Sequence, residues 1–276
     1  MQLTIETLRE SQSIGAYDIM STLRSIEISV IDVCNRSCSF CPRSLPEYNI
    51  KKETASLNMI DKIANELASI AYNGRISFVG TGEPLLYKNL YKAINIIKTK
   101  VPTIKWIEVI TNGDYLTSDK VKKLDKAGCT SIVVSMYDED ISNKIISMFE
   151  NIDIDIIFKH LYKKFPIVNR NDIFSMSHEL NISRPCYLPF YKMIIDIDGK
   201  VIICSNDWKR SGIVGDLYNQ TIPEVWTGKK IEEYRSELQY GNRKKCNPCN
   251  FCDINGLKYG EDSFNIWRNN ERRTDT

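Results

Sequence analysis

Four times between Ser25 and Ser135 a short apolar run ends in Cys, Gly, Asn or Ser, and helical apolar stripes lie between the runs. In Ser25–Val33, Ile26, Ile28 and Val30 alternate with Glu27 and Ser29, the period of a strand, and the run stops at Cys34. Arg75–Val79 stops at Gly80-Thr81-Gly82-Glu83-Pro84, Lys105–Ile110 at Thr111-Asn112-Gly113-Asp114, and Thr130–Ser135 at Ser135 itself. Ile152–Phe158 reads as a fifth strand. Helices are expected from the stripes Ile60, Ile63, Leu67, Ile70 and Leu90, Ile94, Ile97, and across Val121 and Leu124 after an N-cap at Thr117-Ser118. Repeated strand–helix units imply a parallel α/β sheet with helices outside, and such sheets bind ligands at the carboxyl ends of their strands.

The residues at those ends carry the chemistry. Cys34, Cys38 and Cys41 form a C-x3-C-x2-C run. Three such thiolates can hold three irons of a four-iron cluster and leave the fourth open. Zinc is the alternative, but it prefers four closed ligands, and neither this run nor its flanks offer a histidine. The glycines of the second motif allow close backbone approach, and Glu83 can accept from an ammonium group. Asn112-Gly113 is also an ordinary turn.

A second cysteine set follows. Tyr191–Cys204 reads as a hairpin turning at Asp198-Gly199. Cys186, Cys204 and the run Cys246-Asn-Pro-Cys249-Asn-Phe-Cys252 supply enough thiols to close a cluster, or a zinc site, completely. Cys246 to Cys249 has the same spacing as Cys249 to Cys252, so either pair could serve. Cys129 reads as a core residue. The 276 residues suffice for one α/β domain with a small appendage, and a net charge of +2 with mixed signs gives no footprint for nucleic acid. Met1–Glu10 lacks an apolar signal segment, and no run of 18 apolar residues spans a membrane. Nine cysteines without a secretion signal read as metal ligands in a reducing cytoplasm.

The cysteine run followed by Pro42-Arg43 closely resembles the signature of the radical S-adenosylmethionine (SAM) superfamily. The resemblance implies a partial (β/α)6 barrel of TIM type, with a 4Fe–4S cluster on Cys34, Cys38 and Cys41. In the family the open iron chelates SAM, and cleavage yields a 5′-deoxyadenosyl radical that abstracts hydrogen from substrate. Gly80-Thr81-Gly82-Glu83-Pro84 is similar to the family's Gly-Gly-Glu-Pro motif, with Thr81 in place of a glycine. It implies SAM contacts from Gly82, Glu83 and Pro84, with Phe40 near the adenine and Asn112 and Ser135 toward ribose or carboxylate.

The second cysteine set resembles the SPASM/twitch extension, which implies an auxiliary 4Fe–4S cluster on Cys186, Cys204, Cys249 and Cys252. The expected division is an extension over 1–24, a core over 25–180, a twitch subdomain of hairpin plus helix over 181–260, and a tail over 261–276. Within the group the chain resembles the twitch-domain dehydrogenases of aminoglycoside biosynthesis, the 2-deoxy-scyllo-inosamine dehydrogenase type. Gly82-Glu83-Pro84-Leu85-Leu86, Thr111-Asn112-Gly113-Asp114 and Asn169-Arg170 ahead of Cys186 carry that resemblance. It implies oxidation of a secondary alcohol on a sugar, aminocyclitol or nucleotide-sugar, with Arg170 at the substrate and a flavodoxin or ferredoxin as electron donor. Ile110 and Ser205 stand where that group has aromatic residues. The alternative within the superfamily is a peptide-modifying epimerase or thioether-forming maturase. Asp207 and His160 are candidates for the base.

Overall fold

The computed structural model describes residues 19–48, 50, 52–137, 145, 154–161, 173–174, 183–254 and 260–274. Its strands are β1 (Ser25–Ser29), β2 (Arg75–Val79), β3 (Trp106–Thr111), β4 (Ser131–Met136), β5 (Asp155–His160), β6 (Lys192–Ile195), β7 (Lys200–Ile202) and β8 (Ile213–Asp216). They form one sheet in the order β5-β4-β3-β2-β1-β6-β7-β8. Strands β1 to β5 run parallel in sequence order, and β6 joins the free side of β1, also parallel. From there β7 and β8 return antiparallel, so the C-terminal hairpin extends the core sheet.

The α/β architecture expected from the sequence is therefore present, and its strand alternation has a specific cause. Ile26, Ile28, Ile76, Phe78, Ile107 and Val109 share one face and are fully buried beneath the helices. The opposite face carries Glu27, Ser77 and Glu108, which lie side by side in the register. These polar groups face one another rather than bulk water. Lys192 Nζ donates to Glu27 at 2.7 Å, and Ser77 Oγ donates to Glu108 at 2.7 Å. Burial opposes charge on Glu27, yet Lys192, Arg75 and Lys159 together hold its carboxyl below the usual range.

Helices α1 (Leu57–Ser69), α2 (Leu90–Lys100) and α3 (Ser118–Ala127) cover the apolar face. In α1, Met59, Ile60, Ile63, Ala64 and Leu67 are buried, one stripe at helical spacing. Thr117 caps α3 by accepting from Lys120 N, as its position before Ser118 predicts. The hairpin between β6 and β7 turns through Gly199 at φ +72°. A Cβ there would lie 2.6 Å from the mobile tip of Met59, so it is the backbone conformation that favours glycine.

After α4 (Leu188–Tyr191), α5 (Ile222–Trp226) and α6 (Lys229–Leu238), the segment expected as a tail forms α7 (Glu261–Thr274). Its Phe264 stacks on Tyr187 with centroids 4.0 Å apart. Trp267 and Trp226 both donate their indole N–H to Thr22 Oγ1, at 3.0 and 3.1 Å. Arg235 is held between the two indoles, 3.7 and 4.4 Å from their centroids. That cluster fastens the first described turn, Ile19–Thr22, to the last helix.

Candidate active site

The carboxyl ends of the strands open onto a cavity of about 790 Å³. Its wall includes Cys34, Cys38 and Cys41, and on the other side Ser205, Asp207 and Trp208 from the loop after Cys204. Phe40, Gly82, Glu83, Asn112 and Ser135, each expected near SAM, also line it. Pro84 does not; it is buried where the 3₁₀ turn Pro84–Leu86 begins. Ile110 and Ser205, the two positions that lack the aromatic residues expected by resemblance, both face the cavity. Arg170 lies outside the described residues.

Several expected ligand contacts are engaged within the protein. Glu83 is 3% exposed, and both carboxylate oxygens are occupied. Oε1 accepts from Thr111 Oγ1 at 2.6 Å and Leu85 N at 3.1 Å, while Oε2 accepts from Asn112 N at 2.9 Å. Burial raises its pKa above the ordinary carboxylate value despite those donors. Glu83 therefore ties the end of β2 to the end of β3. Gly82 serves the same junction: a Cβ there would lie 2.3 Å from the carbonyl oxygen of Ile31. The close approach this glycine permits is to the end of β1, which brings Glu83 N to Val33 O at 2.8 Å.

The cysteine loop is anchored to β3 by residues 78 positions apart. Arg36 makes a two-pronged pair with Asp114, Nε to Oδ2 at 2.6 Å and Nη2 to Oδ1 at 2.5 Å. Asn35 Nδ2 also donates to Asp114, at 2.6 Å. These bonds, above all that from Arg36, hold the Asp114 carboxyl below the usual range. Asn112 Nδ2 donates to Asn35 Oδ1 at 2.9 Å and reaches the sulfur of Cys34 at 3.9 Å. Asn112 thus orients the thiol loop. Arg43 and Asp32, a buried pair at 2.7 Å, brace its far end.

Phe40 packs against Tyr137 with centroids 5.1 Å apart, and Arg36 lies over the same ring at 5.5 Å. Tyr137 is hydrogen-bonded to Ser135. Sequence reasoning missed Tyr137, although it sits two residues past a strand-end serine; it also missed the Arg36–Asp114 pair. Of the base candidates, Asp207 lines the cavity but accepts from Ser211 N, Ser211 Oγ and Gly212 N, so it organises its own loop. His160 is exposed at the end of β5, while its neighbour Lys159 faces the cavity.

All nine cysteines are free thiols. Burial and the Cys41 and Cys34 sulfurs push the Cys38 thiol up, against the pull of Arg36. In the second set, burial pushes Cys204 up to about 12, with Cys186 and Cys252 adding to it. Cys249 is raised by burial and then by Cys204, Cys186, Cys246 and Cys252. Cys246, 5% exposed, is raised to about 11 by burial and Glu237. The sulfurs of Cys186, Cys204, Cys246 and Cys252 all act on Cys249, and among the described residues no three metal-ligating side chains are placed to hold a single ion.

Each donor set fits an iron–sulfur cluster. Each is sulfur-rich and partly buried, the first opens onto a cavity, and in the second the Cys252 sulfur and the buried Arg243 meet at the Ile254 carbonyl, with two further Arg243 nitrogens lacking a hydrogen-bond partner. A cubane holds its ligands on separate irons, more widely spread than ligands on one ion.

The radical SAM superfamily model matches residues 28–139, and the SPASM iron–sulfur cluster-binding domain model matches residues 186–253. The S-adenosyl-L-methionine-dependent 2-deoxy-scyllo-inosamine dehydrogenase of Niallia circulans is 27% identical over 83% of this chain and 92% of its own length. The GTP 3′,8-cyclase of Aquifex aeolicus is 31% identical over 50% of this chain and 45% of its own length. Among solved structures, BtrN in complex with AdoMet and 2-DOIA superposes with a TM-score of 0.74 at 24% identity, covering 86% of this chain and 95% of that one. The structure of anSMEcpe with bound AdoMet gives a TM-score of 0.59 at 14% identity, covering 88% and 91%. These last two likenesses concern the fold. The chain thus carries a region similar to the radical SAM superfamily, followed by a region similar to the SPASM iron–sulfur cluster-binding domain.

Proposed function

We propose that this protein is a radical SAM dehydrogenase that oxidises a secondary alcohol of a sugar, aminocyclitol or nucleotide-sugar to a ketone. One observation carries the reading: a single cavity is walled by the first cysteine set and by the loop after Cys204 of the second. The Niallia circulans relative, with its dehydrogenase activity, supports it over most of the chain.

In this reading Cys34, Cys38 and Cys41 hold a 4Fe–4S cluster with SAM, and Cys186, Cys204, Cys249 and Cys252 hold a second 4Fe–4S cluster. When bound, the first supplies hydrogen-atom abstraction and the second accepts one electron. Conversion of alcohol to ketone removes one hydrogen atom, one proton and one electron, which is why an electron acceptor is needed beside the abstracting group.

The chain's own residues position and exclude. Arg36, Asp114, Asn35 and Asn112 fix the thiol loop, and Glu83 and Gly82 fix the strand ends beneath it. Phe40 and Tyr137 supply an aromatic wall on which a purine ring rests. Ile110 and Ser205 shape the substrate side, leaving more room than aromatic residues would. Arg170 is carried over from the resemblance as a substrate-orienting residue; a guanidinium stays protonated and so cannot take up the hydroxyl proton. The initiating electron comes from a flavodoxin or ferredoxin-type donor in the cytoplasm. No described helix is long and apolar enough to cross a membrane.

The test is anaerobic turnover of reconstituted enzyme with SAM, dithionite and 2-deoxy-scyllo-inosamine as the probe polyol, read by mass spectrometry. The expected result is 5′-deoxyadenosine together with a product two hydrogens lighter. Formation of 5′-deoxyadenosine with no oxidation of any polyol in a sugar and cyclitol panel, and an isobaric change in a peptide instead, would overturn the reading.

A further inference from the structure

The second thiol set has a charged neighbour that the mechanism above does not use. Arg243 opens the 3₁₀ turn Arg243–Lys245 and is 1% exposed. Its Nη1 donates to the Ile254 carbonyl at 2.6 Å. Its Nε and Nη2, both buried, have no hydrogen-bond partner. Of the other buried arginines, Arg43 pairs with Asp32, and Arg235 lies between two indole rings and donates to the carbonyls of Pro189 and Trp226, leaving one nitrogen, Nη2, outside any hydrogen bond. A buried cation with open donors is costly unless something negative sits against it. The thiol that the structure ties to it is Cys252, whose sulfur meets the same Ile254 carbonyl oxygen at 3.9 Å.

Resting on the two-cluster reading, we propose that Arg243 is the counter-charge of the auxiliary cluster. Its open donors bond the cluster's sulfurs and raise the reduction potential. A cubane with four thiolate ligands is net negative and becomes more so with each electron. A buried cation and N–H···S bonds therefore stabilise the reduced form more than the oxidised one. The electron balance is simple: the substrate releases one electron, the cluster gains it, and no proton moves onto the cluster. Arg243 is a positioning and tuning residue, remote from the reacting carbon.

The test isolates this centre. A parent with alanine at Cys34, Cys38 and Cys41 is reconstituted anaerobically with iron and sulfide, and its potential is titrated by electron paramagnetic resonance. In Arg243→Met the midpoint is expected to fall. At the parent midpoint the ratio of reduced to oxidised cluster drops about tenfold, or ~59 mV for a one-electron couple. Arg243→Lys keeps the charge with fewer aligned donors, so a smaller shift of the same sign is expected. If the Met variant fails to load, the Lys variant decides the matter by the same sign. An unchanged midpoint in a loaded variant overturns the role of Arg243 while leaving the auxiliary cluster intact. Failure of the parent to bind iron and sulfide overturns the auxiliary cluster, and this proposal with it.

Discussion

The two thiol regions are built on opposite plans. The first is a loop at the end of β1, open to the cavity and held by polar side chains reaching across from β3: Arg36 to Asp114, Asn112 to Asn35. The second gathers sulfurs from the segment before α4, from the hairpin and from the turn Cys249–Phe251. There burial, more than hydrogen bonding, dominates the environment of Cys204 and Cys249. An open, braced loop suits a site that must exchange a ligand. A set of four partly buried thiols, away from the strand-end loop, suits a centre that only passes electrons.

The largest effect that would sharpen this contrast is loss of the first site. Cys38→Ala is expected to abolish 5′-deoxyadenosine formation and ketone together, measured by chromatography of the quenched reaction. Cys249→Ala should separate them: ketone is lost while substrate-independent SAM cleavage persists. If both variants lose SAM cleavage equally, the two regions are not functionally distinct.

Asp114→Ala should have an intermediate effect. It releases Arg36 and Asn35 and costs roughly tenfold in SAM cleavage, about the weight of one charge-assisted bond. Iron on the second set should be untouched. The pH dependence has a definite sign. Because Arg36 depresses the Asp114 carboxyl, the brace is complete above the unfolded value of about 3.9 and is lost as pH falls through the lowered pKa. Acid should therefore loosen the first loop only below about pH 4. The smallest effect is Cys246→Ala, which should leave iron content unchanged; loss of the auxiliary cluster's share would assign Cys246 as a ligand.

Local chemistry was legible in the sequence wherever it is local. The span Arg75–Val79 matches β2 residue for residue, because its apolar alternation is bounded by glycines. Asp198-Gly199 marked the hairpin turn through a positive φ that glycine adopts freely. The cysteine spacing drew attention to the residues that line the cavity. What escaped was long-range. Nothing near Asp114 announces Arg36, and nothing near β1 announces that β6 will pair with it rather than extend the far edge of the sheet. Glu83 and Asn112 were flagged as site residues from their motifs, but their hydrogen bonds to Thr111 and Asn35 emerge only once three strand ends converge. Arg243 carries no motif at all; it stands out only because two of its nitrogens are buried without a hydrogen bond.

The most direct measurement is iron and sulfide content per chain after anaerobic reconstitution. Two cubane sites predict about eight irons in the native protein. They predict about four in the variant lacking Cys34, Cys38 and Cys41, and about four in the variant lacking Cys186, Cys204, Cys249 and Cys252. A native chain that saturates at about four, or a variant of the first set that binds none, contradicts the account.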